Sequence, residues 1–396
     1  MDQQGELAMP HTFHVVALPH TQTTKAHCGC AYTQKVLNFC KMMHERGHTV
    51  YHYGAEGSLP QCAEHVTTIT LEEQRLLYGD KDFRTQMYDV KWDSAVSYWA
   101  LANARATAEI KKRCKPTDFL CLIGGSCQKM IADELAPQQL LVVEFGVGYS
   151  GTFAPFCVYE SYAHAANRAG TNDPNGKFTD AVIPNYYDAA DFPMGTHASD
   201  YYLYVGRIII RKGVQVAIDT CNAIGARLLI AGHGAVEYTP SAEGKPAYLK
   251  GTDAEFQGNF EFVGFADVAR RASLMGDAKA VFVPTLYLEP FGGVNVEAQL
   301  CGTPVITTDW GAFPETVEHG RTGYRCRSHE QFCWAARNVH KLDPVYVRER
   351  AVANWGLDRV GAMYEEYFYG LSNLAKKGYY EENPGRAELN WLTRRA

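Results

Sequence analysis

The sequence lacks any apolar run near the ~20 residues that a membrane-spanning helix requires. Its first stretch, Met1 to Pro10, is polar and has no hydrophobic core of the secretion-signal kind. A basic excess is also missing: 38 Lys and Arg stand against 44 Asp and Glu, a net charge of −6, so no global field draws nucleic acid or an anionic membrane. The one basic cluster, Lys111-Lys112-Arg113-Cys114-Lys115, falls at the C-terminal end of an expected helix, where the dipole favours cations. There is no internal repeat and no low-complexity tract. Cysteine is plentiful at 12 residues, but a disulfide framework is not indicated, because Cys40, Cys121, Cys157, Cys221 and Cys301 are scattered through apolar segments. That usage points to a reducing compartment and a soluble, cytoplasmic protein. His27-Cys28-Gly29-Cys30 has no second Cys/His pair at zinc spacing, so no metal site is expected there.

The chain has 396 residues, which suits two domains of about 200 residues each. Phe13–Leu18, a loop, a helix from about Ala31 to Arg46, and Thr49–Gly54 form the strand, loop, helix, strand opening of a doubly wound parallel sheet. His65–Thr70, Asp118–Gly125 and Gln139–Phe145 read as further strands, and Trp92–Arg113 as a helix. Leu71–Asp89 reads as a polar, irregular insertion near the mouth of a cleft. The strand ending on Glu144 places a carboxylate where open α/β sheets gather ligands, with Tyr149 and His164 downstream as further candidate site residues. The chain then turns loop-like from Ala189 to Ser199, which sets the boundary between a first domain, 1–190, and a second, 200–360. Residues 361–396 are helical and aromatic.

The second domain is organised around Ala280–Thr308. A buried strand, Ala280–Val283, leads to a loop carrying Glu289; Gly292-Gly293 opens a short helix that Gly302 and Pro304 close; Val305–Thr308 is the next strand. Seven residues separate Glu289 from Glu297, so a loop carboxylate and a helix carboxylate can face one pocket. Bare glycines at the helix start expose N–H groups suited to a phosphate or a sugar oxygen. Earlier, Tyr202–Val205 is followed by Gly206-Arg207 and Lys212-Gly213. Arg supplies a planar fork and Lys a point charge, a pair suited to the oxygens of a diphosphate.

The string Glu289-Pro290-Phe291-Gly292 with Glu297-Ala298 resembles the signature of retaining GT-B glycosyltransferases of family four. Gly206-Arg207 with Lys212-Gly213 and Ile183-Pro184-Asn185-Tyr186 resemble two further segments of that family, although Tyr186 stands where a glycine is usual and the first loop, Cys28-Gly29-Cys30, has one glycine rather than two. The likeness is strongest from Tyr202 to Arg325. It implies two Rossmann-like α/β domains facing a central cleft, with the last helices crossing back to brace the first domain. It implies a nucleoside diphosphate sugar as donor, UDP- more readily than GDP-linked, an unidentified hydroxyl acceptor held by the first domain, and no cofactor or metal. Catalytic roles would fall to Glu289, Glu144, Arg207 and Lys212. Donor contacts would come from Gly29, Gly206, Arg207, Lys212, Val263, Gly264, Glu289, Phe291, Gly292, Gly293, Val294 and Glu297. The Asp-x-Asp of Asp80-Lys81-Asp82 is the metal motif of a different glycosyltransferase fold, but Gly79 and charges flank it here rather than a strand. Other readings remain open: a retaining phosphorylase or sucrose-type synthase, a binding protein without turnover, or transfer to a hydroxylated DNA base.

Overall fold

The computed structural model describes residues 10–80, 82–83, 90–172 and 176–376. The first domain runs β1 (Thr12–Val16), α1 (Ala31–Glu45), β2 (Thr49–Ala55), β3 (Glu64–Ile69), α2 (Leu71–Tyr78), α3 (Ser97–Lys111), β4 (Phe119–Leu122), α4 (Lys129–Glu134), β5 (Leu141–Val147), β6 (Phe156–Tyr159), α5 (Tyr162–Asn172) and β7 (Ala181–Val182). Its sheet has the order β3-β2-β1-β4-β5-β6-β7, with every pairing parallel. Helices cover both faces, so the central strands are apolar on both sides, as in the fully buried Phe119-Leu120-Cys121-Leu122.

The second domain repeats that logic. It runs β8 (Tyr202–Val205), α6 (Val214–Ile224), β9 (Leu228–Ala231), β10 (Glu237–Thr239), β11 (Ala247–Lys250), β12 (Glu255–Gly258), β13 (Glu261–Phe262), α7 (Val268–Asp277), β14 (Val281–Val283), α8 (Gly293–Leu300), β15 (Val305–Thr308), α9 (Phe313–Thr316), β16 (Gly323–Cys326), α10 (His329–Asn338) and α11 (Pro344–Trp355). Its parallel sheet has the order β13-β9-β8-β14-β15-β16. In both sheets the order reverses beside the first strand of the domain, and ligands of open α/β sheets bind at that switch point, beyond the carboxyl ends of the strands.

The structure departs from the sequence reading in several places. Leu71–Tyr78 is not irregular: it is α2, opened by a capping box in which Thr70 and Glu73 bond each other's backbone N–H. The rest of that stretch, Lys81 and residues 84–89, lies outside the described residues, as do 1–9 and 377–396. The helix expected from Trp92 begins at Ser97. The sequence reading passed over strand β6, apolar but only four residues long, and the antiparallel sheet β10-β11-β12, an excursion between β9 and β13 built of short, mostly polar strands.

The chain crosses back at Gly356, ahead of the expected boundary at 361. Trp355 and Ala351 of α11 pack in the second-domain core, whereas the next helix, α12 (Leu357–Lys376), packs into the first. Phe368 lies 4.7 Å, ring to ring, from both Phe13 and Phe119, and Tyr364 lies 5.3 Å from Phe39. Tyr186, the residue in place of a glycine, is buried in the same cluster; its hydroxyl donates to the Lys35 carbonyl at 3.0 Å and its ring meets Tyr364 edge-on. The large side chain thereby ties the last turn of the first domain to both α1 and α12. All twelve cysteines are free thiols. Among the described residues no helix is long and apolar enough to cross a membrane.

Candidate functional site

A cleft of about 1250 Å³ separates the carboxyl ends of the two sheets and is lined by both domains. On the second-domain wall, the loop after β8 brings Gly206 and Arg207 to the surface, and a short 3-10 turn, Ile210–Lys212, brings Arg211 and Lys212. Gly213 follows in the left-handed region at φ 74°, and a Cβ there would lie 2.1 Å from the Pro284 carbonyl oxygen. A glycine is required for this turn to abut the end of β14.

The Lys212 ammonium reaches the Glu289 carboxylate at 2.6 Å. Burial alone would lower the Lys212 pKa, but the charge and hydrogen bonds of Glu289 and Tyr287 together outweigh burial, and the pKa lies above its ordinary value. Arg207 and Arg211 have no carboxylate partner among the described residues. The Arg211 guanidinium rests 5.1 Å above the Tyr287 ring. Arg211 was not singled out from sequence, because its neighbours Ile208 to Ile210 read as plain loop.

Glu289 is fixed through its backbone, whose carbonyl accepts the Ala312 N–H at 3.0 Å from the loop before α9. Helix α8 starts at Gly292, with no side chain capping its first turn, so Gly293 and Val294 present orphan N–H groups on the cleft wall beside Phe291. One turn on, Glu297 accepts from Arg271 at 2.9 Å through Oε1, while its buried Oε2 has no partner. Burial raises the Glu297 pKa and the Arg271 charge works against that rise. Val263 and Gly264 stand back from the cleft. The Val263 N–H extends the β13–β9 ladder, its carbonyl accepts from Arg270 at 2.7 Å, and the Gly264 carbonyl accepts from Gly232, so the backbone groups that were to border the base are consumed. Phe265 and Ala266 line the cleft in their place.

The first-domain wall is built differently. Gly29 lines it, next to the His233 imidazole from the opposite domain, whose Nε2 meets the Phe83 carbonyl at 2.8 Å. Glu144 does not reach the cleft. It is fully buried, accepts the N–H groups of Phe153 and Ala154 at 2.7 and 2.8 Å and the Tyr149 hydroxyl at 3.0 Å, and so holds the loop after β5. Burial raises its pKa against those hydrogen bonds. His164 is buried behind the same loop, with Nε2 3.2 Å from the Tyr149 carbonyl, and burial lowers its pKa to about 4. Of these three, Tyr149 alone lines the cleft.

A group that sequence reasoning missed occupies that wall. Lys35, from α1, pairs with Glu160, which follows β6, and donates to the Gly146 carbonyl at 2.8 Å. Asn185 donates to the other Glu160 oxygen at 3.0 Å. All three line the cleft, and all three are buried. Two signals were present: Glu160 directly follows the short apolar run Phe156–Tyr159, and Asn185 sits in the Ile-Pro-Asn segment. Among the described residues no group of His, Cys, Asp or Glu is arranged to hold a metal ion, Cys28 and Cys30 included.

With this geometry in hand, comparison with known proteins assigns the class. The chain superimposes on a sucrose-phosphate synthase from Thermosynechococcus elongatus with a TM-score of 0.66 at 16% identity, covering 91% of this chain and 99% of the other. It superimposes on Anabaena HepE in complex with UDP and glucose with a TM-score of 0.61 at 13% identity, covering 91% and 100%. The protein has the GT-B fold. Residues 196–348, most of the second domain, match the family model described as glycosyl transferases group 1. Over 183 residues the sequence is 33% identical to a glycogen synthase of Mycobacterium tuberculosis, covering 43% of this chain and 42% of that protein. The chain thus spans about two fifths of the length of the curated relatives it matches.

Proposed function

We propose that this protein transfers a glycosyl group from a nucleoside diphosphate sugar to a hydroxyl acceptor, with retention at the anomeric carbon and without a metal ion. One observation carries the reading: Arg207, Arg211, Lys212 and the uncapped start of α8 converge on one cleft wall, with Glu289 beside Lys212. Three cations and a helix N-terminus supply what a departing diphosphate needs as its charge grows. Glu289 accepts hydrogen bonds from the sugar hydroxyls, and the unpartnered Glu297 Oε2 accepts from the ribose. The bond from the anomeric carbon to the phosphate oxygen breaks while the acceptor oxygen adds on the same face, and the acceptor proton passes to the departing phosphate. UDP is the favoured nucleotide, a choice supported by the UDP held in HepE. The twelve free thiols support a cytoplasmic setting.

The test is a thermal-shift panel with UDP, GDP, ADP, TDP and CMP, repeated on Lys212→Ala. A ligand at ~100 times its Kd adds about 2.7 kcal/mol of stability. The expected outcome is a shift with one diphosphate that is lost in the variant. No shift with any of them removes the donor site and with it the transferase reading.

A further inference from the structure

The opposite wall of the cleft carries information about the acceptor. Lys35 is the only lysine or arginine that the first domain contributes to the cleft among the described residues, and it is spent internally, on Glu160 and on the Gly146 carbonyl. Burial lowers the His20 pKa to about 3, so its imidazole is neutral at physiological pH. What remains is aromatic and hydrogen-bonding surface. Tyr32 packs edge-on against Tyr149 at 5.8 Å and Trp92 at 6.2 Å, and Trp92 is half exposed at the rim. Within the cleft lining, Asn185 gives its N–H to Glu160, but its Oδ1 is buried and has no partner among the described residues. Leaving such an acceptor unsatisfied is unfavourable, and a ligand hydroxyl would recover that cost. The neighbouring backbone is cut away to admit the carboxylate: a Cβ on Gly148 would lie 2.3 Å from Glu160 Oε1.

Resting on the transferase reading above, we propose that the acceptor is a neutral polyhydroxylated ring, a sugar or polyol unit, seated on Tyr32, Tyr149 and Trp92 and oriented by a hydroxyl donating to Asn185 Oδ1. A phosphorylated acceptor or a DNA duplex would need unpaired cations on this wall, because anion recognition rests on Arg, Lys or exposed N–H groups. Among the described residues of this wall, the pairing of Lys35 removes the one Lys or Arg candidate.

The experiment measures UDP release by the full chain from UDP-glucose, or from the corresponding sugar of whichever nucleotide binds. The acceptors are methyl glucoside, octyl glucoside and inositol, set against glucose 6-phosphate, inositol 1-phosphate and a hydroxymethylated DNA duplex. The best neutral acceptor is expected to exceed its phosphorylated counterpart at least tenfold in kcat/KM. Asn185→Ala is expected to raise the acceptor KM at least tenfold, and Trp92→Ala, at an exposed position that leaves the core intact, about fivefold, both with the diphosphate Kd unchanged. Preference for a phosphorylated acceptor or for the duplex, silence from every neutral acceptor, or an acceptor KM indifferent to both substitutions overturns the proposal while leaving donor binding in place. Absence of diphosphate binding sinks the transferase reading and the acceptor proposal together.

Discussion

Among the described residues, Arg207 and Arg211 on the second-domain wall stand without carboxylate partners, and Lys212 shares one carboxylate at the cleft surface. On the first-domain wall the one lysine described is 5% exposed and committed to Glu160. The same residue types are therefore held in opposite states across one cleft. Cations kept available are ready for a ligand that brings negative charge. A cation neutralised inside its own domain shapes and satisfies a pocket without attracting charge to it. The difference predicts that removing a cation from each wall has different consequences: loss of stability for Lys35 on the first, loss of turnover for Arg207 on the second.

The largest effect is expected at Lys35. Removing one partner of a buried pair costs about 3–5 kcal/mol, because the other charge is left uncompensated. Lys35→Met should lower unfolding stability by that amount in urea titration, and adding Glu160→Gln should recover most of it. A double variant no more stable than the single one would mean that the pair does not act as a unit. Arg207→Ala should do the reverse. With no partner to orphan, it should leave the melting temperature within a degree or two and lower kcat/KM by roughly 10²–10³-fold, about 3–4 kcal/mol of lost transition-state stabilisation. Melting that falls as far as in Lys35→Met would break the contrast between the walls.

This contrast also explains what could be read from the sequence. The second-domain wall was legible because its groups lie close together in the chain: Arg207 and Lys212 in one loop, Glu289 to Glu297 in one loop and helix. Both strings follow buried strands, which fixes where they stand in a doubly wound sheet. Lys35, Glu160 and Asn185 come from α1, the end of β6 and the last turn of the domain, and nothing local announces that they meet. Glu144 shows the opposite failure. Its place at a strand end made it a candidate, yet the loop after β5 folds over it and takes both carboxylate oxygens. A strand-end carboxylate alone does not reveal whether the following loop will expose it or close on it.

A smaller effect tests how far the first domain depends on α12. Burial would raise the Glu365 carboxyl, but His48 and Arg46 together bring it down to about 2. Arg46 donates at 2.7 Å and His48 lies at 3.2 Å. A folded pKa below the unfolded ~4.3 means stability present above that value and lost as pH falls toward 2. Glu365→Gln should therefore destabilise by about 1–2 kcal/mol at pH 7, discounted for the partial exposure of the pair, with the gap to wild type closing between pH 4 and pH 2. A gap of constant size across that range would assign the loss to packing rather than charge.

The smallest effect lies at a contact between the two domains. Glu315, at α9 of the second domain, accepts the N–H groups of Tyr162 and Ala163 at 2.9 and 2.8 Å, at the start of α5 in the first. A carboxylate at a helix N-terminus contributes about 0.3–1 kcal/mol at the surface, and here the helix and the carboxylate belong to different domains. The contact joins the two domains, so its energy bears on how they are held together rather than on the fold of either half. Glu315→Ala should leave both melting behaviour and diphosphate affinity nearly unchanged, increase the radius of gyration measured by small-angle scattering without ligand, and raise the acceptor KM about two- to fivefold, the factor that up to 1 kcal/mol allows. If the acceptor KM holds while the diphosphate affinity falls, closure serves the donor wall, and the division of labour between the two walls has to be redrawn with α5 on the donor's side.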